Sequence, residues 1–211
     1  MTTFFLHEQL YRDLNKIAER RVTICGAGAL GANLAESLAR MGLRQLRVID
    51  RDKIDVHNLS TQPWQSQDVG APKTRILANT LYRAVGARVD AQQIELTEAN
   101  ATKLLKESAV VVDAFDNIPS RRAVIDAAAK LNVPCLHVAL GGDGAYGCGL
   151  WDAAYVLPEQ ATGTDTCDYP LARSLALIVA ATGAEVVAGY LESGQRRGFE
   201  VTLRDLTLTA V

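Results

Sequence analysis

Residues 22–34, VTICGAGALGANL, limit what this chain can become more than any other stretch. An apolar run breaks at Gly26, Gly28 and Gly31, with Ala29 between the last two, and then resumes as helix formers. Glycines spaced GxGxxG at a strand-to-helix junction have separate jobs. The first permits a tight turn, the second lets backbone approach a phosphate, and the third lets helix and strand pack closely. The N–H groups and dipole of the following helix then favour an anion. Asp50 ends the next apolar run, LRVID, where a carboxylate can accept hydrogen bonds from ribose hydroxyls. These features predict a strand–helix–strand unit that binds a nucleotide.

The remaining pattern extends that unit. Strands are expected at Arg21–Cys25, Leu46–Asp50, Ala87–Ile94, Ala109–Asp113 and Pro134–Ala139. Helices are expected over His7–Arg20, Ala29–Met41, Lys73–Val85, Ala99–Glu107 and Ser120–Leu131. Alternation of this kind gives an α/β fold, a Rossmann-like doubly wound and mostly parallel sheet. After Gly141 the pattern changes to two short strands, a loop, an apolar helix over Leu171–Leu191 and a terminal strand pair near Phe199–Leu203 and Leu206–Leu208. One domain over 1–211 is expected: a nucleotide-binding part over 1–140, and an antiparallel extension over 141–211 that carries a crossover loop and the buried helix.

Composition narrows the partners. A net charge of −2 makes nucleic acid an unlikely partner and gives no reason to expect an anionic membrane. Arg173 and Glu185 interrupt the Leu171–Leu191 segment, so it reads as a core helix and not a membrane span. The N-terminus turns polar after Leu6, too early for a secretory signal, and a cytoplasmic protein is expected. The four cysteines, Cys25, Cys135, Cys148 and Cys167, form no CxxC pair, and His7, His57 and His137 show no metal spacing. No metal beyond magnesium is expected.

A polar connection over 51–72 separates Asp50 from the next helix, far longer than the roughly 2–6 residues usual there. Asp52, Asn58, Gln62 and Lys73 bring polar and cationic groups to the carboxyl end of the sheet, where such folds bind ligands. Asp113 and Asp116 in VVVDAFDN reach the same rim. Carboxylates there can hold Mg²⁺, which binds through one or two carboxylates plus substrate phosphates. The alternative is that Asp116 and Asn117 cap the next helix.

GAGALG, DRDKIDVHNLSTQ, VGAPK and DAFDN, in that order, resemble the adenylation domain of the ThiF and MoeB superfamily, which includes the ubiquitin-activating enzymes. The resemblance implies ATP and Mg²⁺ as cofactors and adenylation of the C-terminal carboxylate of a ubiquitin-like or sulfur-carrier protein ending in Gly-Gly. It implies that Gly26, Gly28, Ala29, Gly31, Asp50, Asp52 and Asn117 bind nucleotide. Asn58, Gln62 and Lys73 would contact phosphates, and Asp116 would hold magnesium. It also implies a homodimer in which Arg12 reaches a site across the interface, and a ubiquitin-conjugating-type enzyme as a further partner. The family pattern N-L-x-R-Q has arginine where this chain has Thr61, so one phosphate-binding cation is missing; Arg12, Arg121 and Arg122 are candidate replacements.

Cys167 lies in the polar stretch ATGTDTCDYP just before the apolar helix. A thiol at a helix N-terminus has a lowered pKa, and the resemblance implies that Cys167 receives the acyl group as a thioester. Three rival readings remain: a non-catalytic scaffold binding nucleotide or a ubiquitin-like protein, adenylation of a modified tRNA, and an NAD(P)-dependent oxidoreductase.

Overall fold

The computed structural model describes residues 3–157 and 170–211. Five parallel strands come first: β1 (Val22–Cys25), β2 (Gln45–Ile49), β3 (Arg88–Gln92), β4 (Val110–Asp113) and β5 (Cys135–Leu140). Antiparallel β6 (Tyr146–Trp151), β7 (Phe199–Thr202) and β8 (Thr207–Ala210) then complete one sheet in the order β3-β2-β1-β4-β5-β6-β7-β8. Strand order reverses between β1 and β4, and in open α/β sheets that switch point is where ligands bind.

Why the central strands are continuous apolar runs follows from their position, since helices cover both faces. On one face α3 (Gly31–Arg40), α4 (Lys73–Val85) and α7 (Arg173–Ser193) pack on Val22, Ile24, Val110 and Val112. On the other, α5 (Glu98–Leu105) and α6 (Ile118–Leu131) cover Cys25, Val111 and Cys135. Each wholly buried Leu or Ile here adds about 1.5–3 kcal/mol of apolar burial.

Helix α7 is apolar and long enough to cross a membrane by length and composition. One side of it, including Leu175, Val179, Ala184 and Val187, is buried in the core, as expected for a core helix, while Ile178 faces outward. It begins at Arg173 with Ala172 as its N-cap. Pro170 therefore precedes the helix, and Cys167 is six positions ahead of its first residue. Cys167 itself lies outside the described residues.

Two expectations need correction. The N-terminal helix is broken into α1 (Leu6–Tyr11) and α2 (Leu14–Ile17). Arg12 turns extended between them and buries its guanidinium against Glu8 and Glu185, while Asp13 caps α2 by accepting from Asn15 N–H. Among the described residues of 141–157, where the sequence pattern predicts two short strands, there is one strand, β6, which returns antiparallel to β5 in a hairpin.

Candidate functional site

The glycine loop has the geometry its spacing requires. Gly26 holds φ +97°, a left-handed conformation that side chains rarely adopt. A Cβ on Gly31 would stand 1.9 Å from the Gly26 carbonyl oxygen, so only glycine lets α3 start this close to β1. A Cβ on Gly28 would meet nothing within 4 Å, because this backbone faces an open cleft. Asp50 fixes the loop: its Oδ2 accepts from Ala27 N–H at 2.6 Å and its Oδ1 from Asp52 N–H at 2.7 Å. Burial raises the Asp50 pKa; Lys73 and the two backbone donors only partly counter it.

The cleft runs from this loop across the switch point, lined by Gly26, Gly28, Asp50, Asp52, Lys73, Asp116 and Asn117, with Ile94, Leu96 and Phe115 as an apolar wall. Such a wall beside converging polar groups is the composition of a small-molecule site. Lys73, the first residue of α4, is 7% exposed, and its Nζ lies 3.3 Å from Asp52 Oδ2. Beside it, Arg51 pairs with Glu95 at 2.5 Å. Asp116 is exposed at the rim, with no hydrogen-bond or ion-pair partner among the described residues. Asn117 is the N-cap of α6, accepting from Ser120 N–H at 2.9 Å. Capping therefore accounts for Asn117 Oδ1 but not for Asp116.

Other expected residues stand behind this surface. Asn58 is buried, its Oδ1 accepting from Asp55 N–H, and Gln62 is buried, its Oε1 accepting from Trp64 Nε1. Both shape the connection after β2. Ala29 is in the turn that opens α3, and its carbonyl accepts from Asn33 Nδ2. Arg12 does not line the cleft of its own chain; its pKa is raised because Glu185 and Glu8 outweigh the cost of burial. Asp113, expected at the rim, is instead wholly buried on the α6 side, where it meets Arg121 Nη1 at 3.2 Å and His137 Nδ1 at 2.9 Å. Arg121 also donates to the Val138 carbonyl and Tyr155 Oη, so it is occupied and cannot replace the cation missing at position 61. Arg122 is exposed on α6.

The sequence reading missed Arg173. From the first turn of α7 its Nη1 donates to the Ser60 carbonyl at 3.4 Å, next to Thr61. The Thr61 carbonyl in turn accepts from Asn33 Nδ2, whose other acceptor is Ala29 in the glycine loop. No spacing rule links position 173 to position 61; only the packing of α7 against α3 brings them together.

A glycine-cradled cleft at the switch point, with a buried lysine and a carboxylate that has no partner among the described residues, defines a Rossmann-like α/β domain. The chain belongs to the ThiF family, whose model matches residues 5–167. It is 32% identical over 152 residues to the sulfur carrier protein ThiS adenylyltransferase of Bacillus subtilis, covering 67% of this chain and 45% of that protein. It is 33% identical over 128 residues to the SAMP-activating enzyme E1 of Haloferax volcanii, covering 59% and 47%. The chain thus spans about half the length of these curated relatives. The crystal structure of E. coli MccB with ATP superposes with a TM-score of 0.79 at 17% identity, over 98% of this chain and 69% of that one, which shows the shared fold.

Proposed function

We propose that this protein is an ATP-dependent adenylyltransferase acting on the C-terminal carboxylate of a ubiquitin-like or sulfur-carrier protein ending in Gly-Gly. The observation that carries this reading is the convergence of Gly28, Lys73 and Asp116 on one cleft. ThiF family membership sets the oxidoreductase reading aside.

The chemistry explains the residue types. A substrate carboxylate oxygen bonds to the α-phosphorus, the bond to the bridging oxygen breaks, and pyrophosphate leaves with the electron pair. Negative charge accumulates on an already anionic centre, so fixed positive charge and N–H donors must be in place beforehand. Lys73 supplies charge from a buried position, where it counts for more than in water. The donor set fits magnesium, because one free carboxylate plus phosphate oxygens is its usual ligand mix. Asp116 would hold it, and the ion would add positive charge against the phosphates. Arg173 donates to the Ser60 carbonyl beside Thr61 and does not itself line the cleft; in this reading it would leave that contact to replace the arginine of the family pattern.

A second step follows if the Cys167 thiolate attacks the acyl carbonyl and AMP departs, leaving a thioester. The same reading includes a homodimer, with exposed Phe4, Leu10, Leu177 and Ile178 as apolar surface for a second copy. In that dimer Arg12 would have to leave Glu185 to reach the other site. It also includes a cytoplasmic setting and, for conjugation, a ubiquitin-conjugating-type enzyme.

The test is exchange of labelled pyrophosphate into ATP, measured with a Gly-Gly-ended carrier and with the same carrier lacking its last two residues. Exchange with the first alone supports adenylation; exchange with neither overturns it. A non-reducing gel then separates the steps. A thiol-sensitive adduct lost in Cys167→Ala while exchange persists supports the thioester, and an identical pattern removes it.

A further inference from the structure

Further along the sheet from the cleft, at β5 and β6, a second polar cluster serves no role in that chemistry. Cys135 and His137 alternate on one face of β5, and Asp152, just after β6, projects from the same face. One donor atom from each lies within 4.8 Å of the other two. We propose that Cys135, His137 and Asp152 form a binding site for a borderline divalent transition metal, zinc being the occupant that this donor set suits.

The local geometry leaves one donor atom free on His137 and one on Asp152, whose other oxygen has Arg196 Nη1 at 4.0 Å. His137 is 1% exposed, and its Nδ1 is held by Asp113 Oδ2 at 2.9 Å. Tyr155 stacks on the ring at 4.0 Å between centroids and 10° between planes, which covers its face. Only the Nε2 edge remains, and Asp152 Oδ1 lies 3.7 Å from it. Asp152 is held in place by its other oxygen, which accepts from Cys135 N–H at 2.9 Å. Donors about 2.0–2.3 Å from a tetrahedral zinc stand roughly 3.3–3.8 Å from one another, so the His137–Asp152 pair is already at that separation. The other pairs lie within 4.8 Å, so they close by at most about 1–1.5 Å.

The surroundings match what such a site needs. A carboxylate on the far nitrogen of a metal-binding histidine fixes tautomer and orientation, and Asp113 is in that position. The Asp152 side chain is 36% exposed while Cys135 and His137 are buried, which gives a metal one way in. Burial alone raises the Cys135 thiol well above its ordinary range, and neighbouring carboxylates add to this; a bound cation offsets both effects. Burial opposes a charged His137, but Asp113 and Asp152 outweigh it and raise its pKa. Charge balances on binding. Cys135 binds as the thiolate, its proton passing to solvent, and His137 binds through an unprotonated Nε2. One thiolate and one carboxylate then neutralise the dication, and a fourth position stays open to water. Ligands contributed by two strands leave no short sequence motif, which is why spacing alone did not reveal this site.

Cobalt(II) titrated into the chelator-treated full chain is the test. The expected result is one equivalent bound, with a thiolate-to-cobalt charge-transfer band, tetrahedral visible bands and displacement by zinc. Cys135→Ser removes the charge-transfer band, and Asp152→Asn, a change at a partly exposed position that should fold, weakens binding by about tenfold or more. Cys167→Ser and Lys73→Ala leave the spectrum unchanged, separating this site from the nucleotide cleft. Absence of a charge-transfer band in the wild type, or its persistence in Cys135→Ser, overturns the proposal.

Discussion

Asp113 and Asp116 are three residues apart in one segment, yet the fold gives them opposite fates. Asp113, the last residue of β4, turns under α6 and is enclosed by Arg121, His137 and the Phe115 N–H. Asp116, one turn further on, stands at the open rim with no partner among the described residues. A carboxylate buried among its partners holds structure, while a solvated one without partners is available to a ligand. Chemistry at the sheet's carboxyl end therefore depends on which face and which depth the backbone gives each acid, not on the acid being there.

Substitutions test that contrast. Asp113→Ala should have the largest effect, because it leaves Arg121 and His137 buried without their shared carboxylate. A loss of about 3–5 kcal/mol is expected in urea unfolding, and a loss under 1 kcal/mol would remove Asp113 from the structural side of the comparison. Lys73→Ala should reduce pyrophosphate exchange about 10²–10³-fold, as removing a preorganised charge-stabilising group does elsewhere. Asp116→Asn should act in the same direction, and both should shift the urea midpoint little, since Asp116 is exposed and Lys73 only partly paired. Gly31→Ala should cost about 1–3 kcal/mol, because its methyl group meets the Gly26 carbonyl oxygen, and ATP affinity should fall with it as the loop shifts. Arg173→Ala should be the mildest: about a tenfold rise in KM for ATP with unfolding unchanged. If KM does not move, the Ser60 contact is only a helix-end attachment.

Much of this was legible in the sequence because it depends on local spacing. The glycine loop, the acid that ends β2 and the helix over Lys73–Val85 all follow from turn chemistry and 3.6-residue periodicity, and α4 runs between those same bounds. The Asn117 cap was readable for the same reason. What sequence could not show are meetings of distant segments. The Arg12 pairing with Glu185 breaks the N-terminal helix against its own periodicity. Arg173 reaches Ser60 across more than a hundred residues, and the Cys135, His137 and Asp152 set depends on the β5–β6 hairpin register. Periodicity placed Asp113 at a strand end but could not say which face its side chain would take.

The central claim is that the cleft beneath Gly28 takes a triphosphate held by Lys73 and Asp116. Thermal unfolding of wild type, Lys73→Ala and Asp116→Asn with magnesium and either ATP or NAD measures this directly. Saturating ATP at about a hundred times Kd stabilises a binding-competent fold by roughly 2.7 kcal/mol. The account predicts that wild type gains this from ATP and nothing from NAD, and that both variants lose most of the gain. Stabilisation by NAD and not ATP, or an equal ATP response in all three proteins, would contradict it.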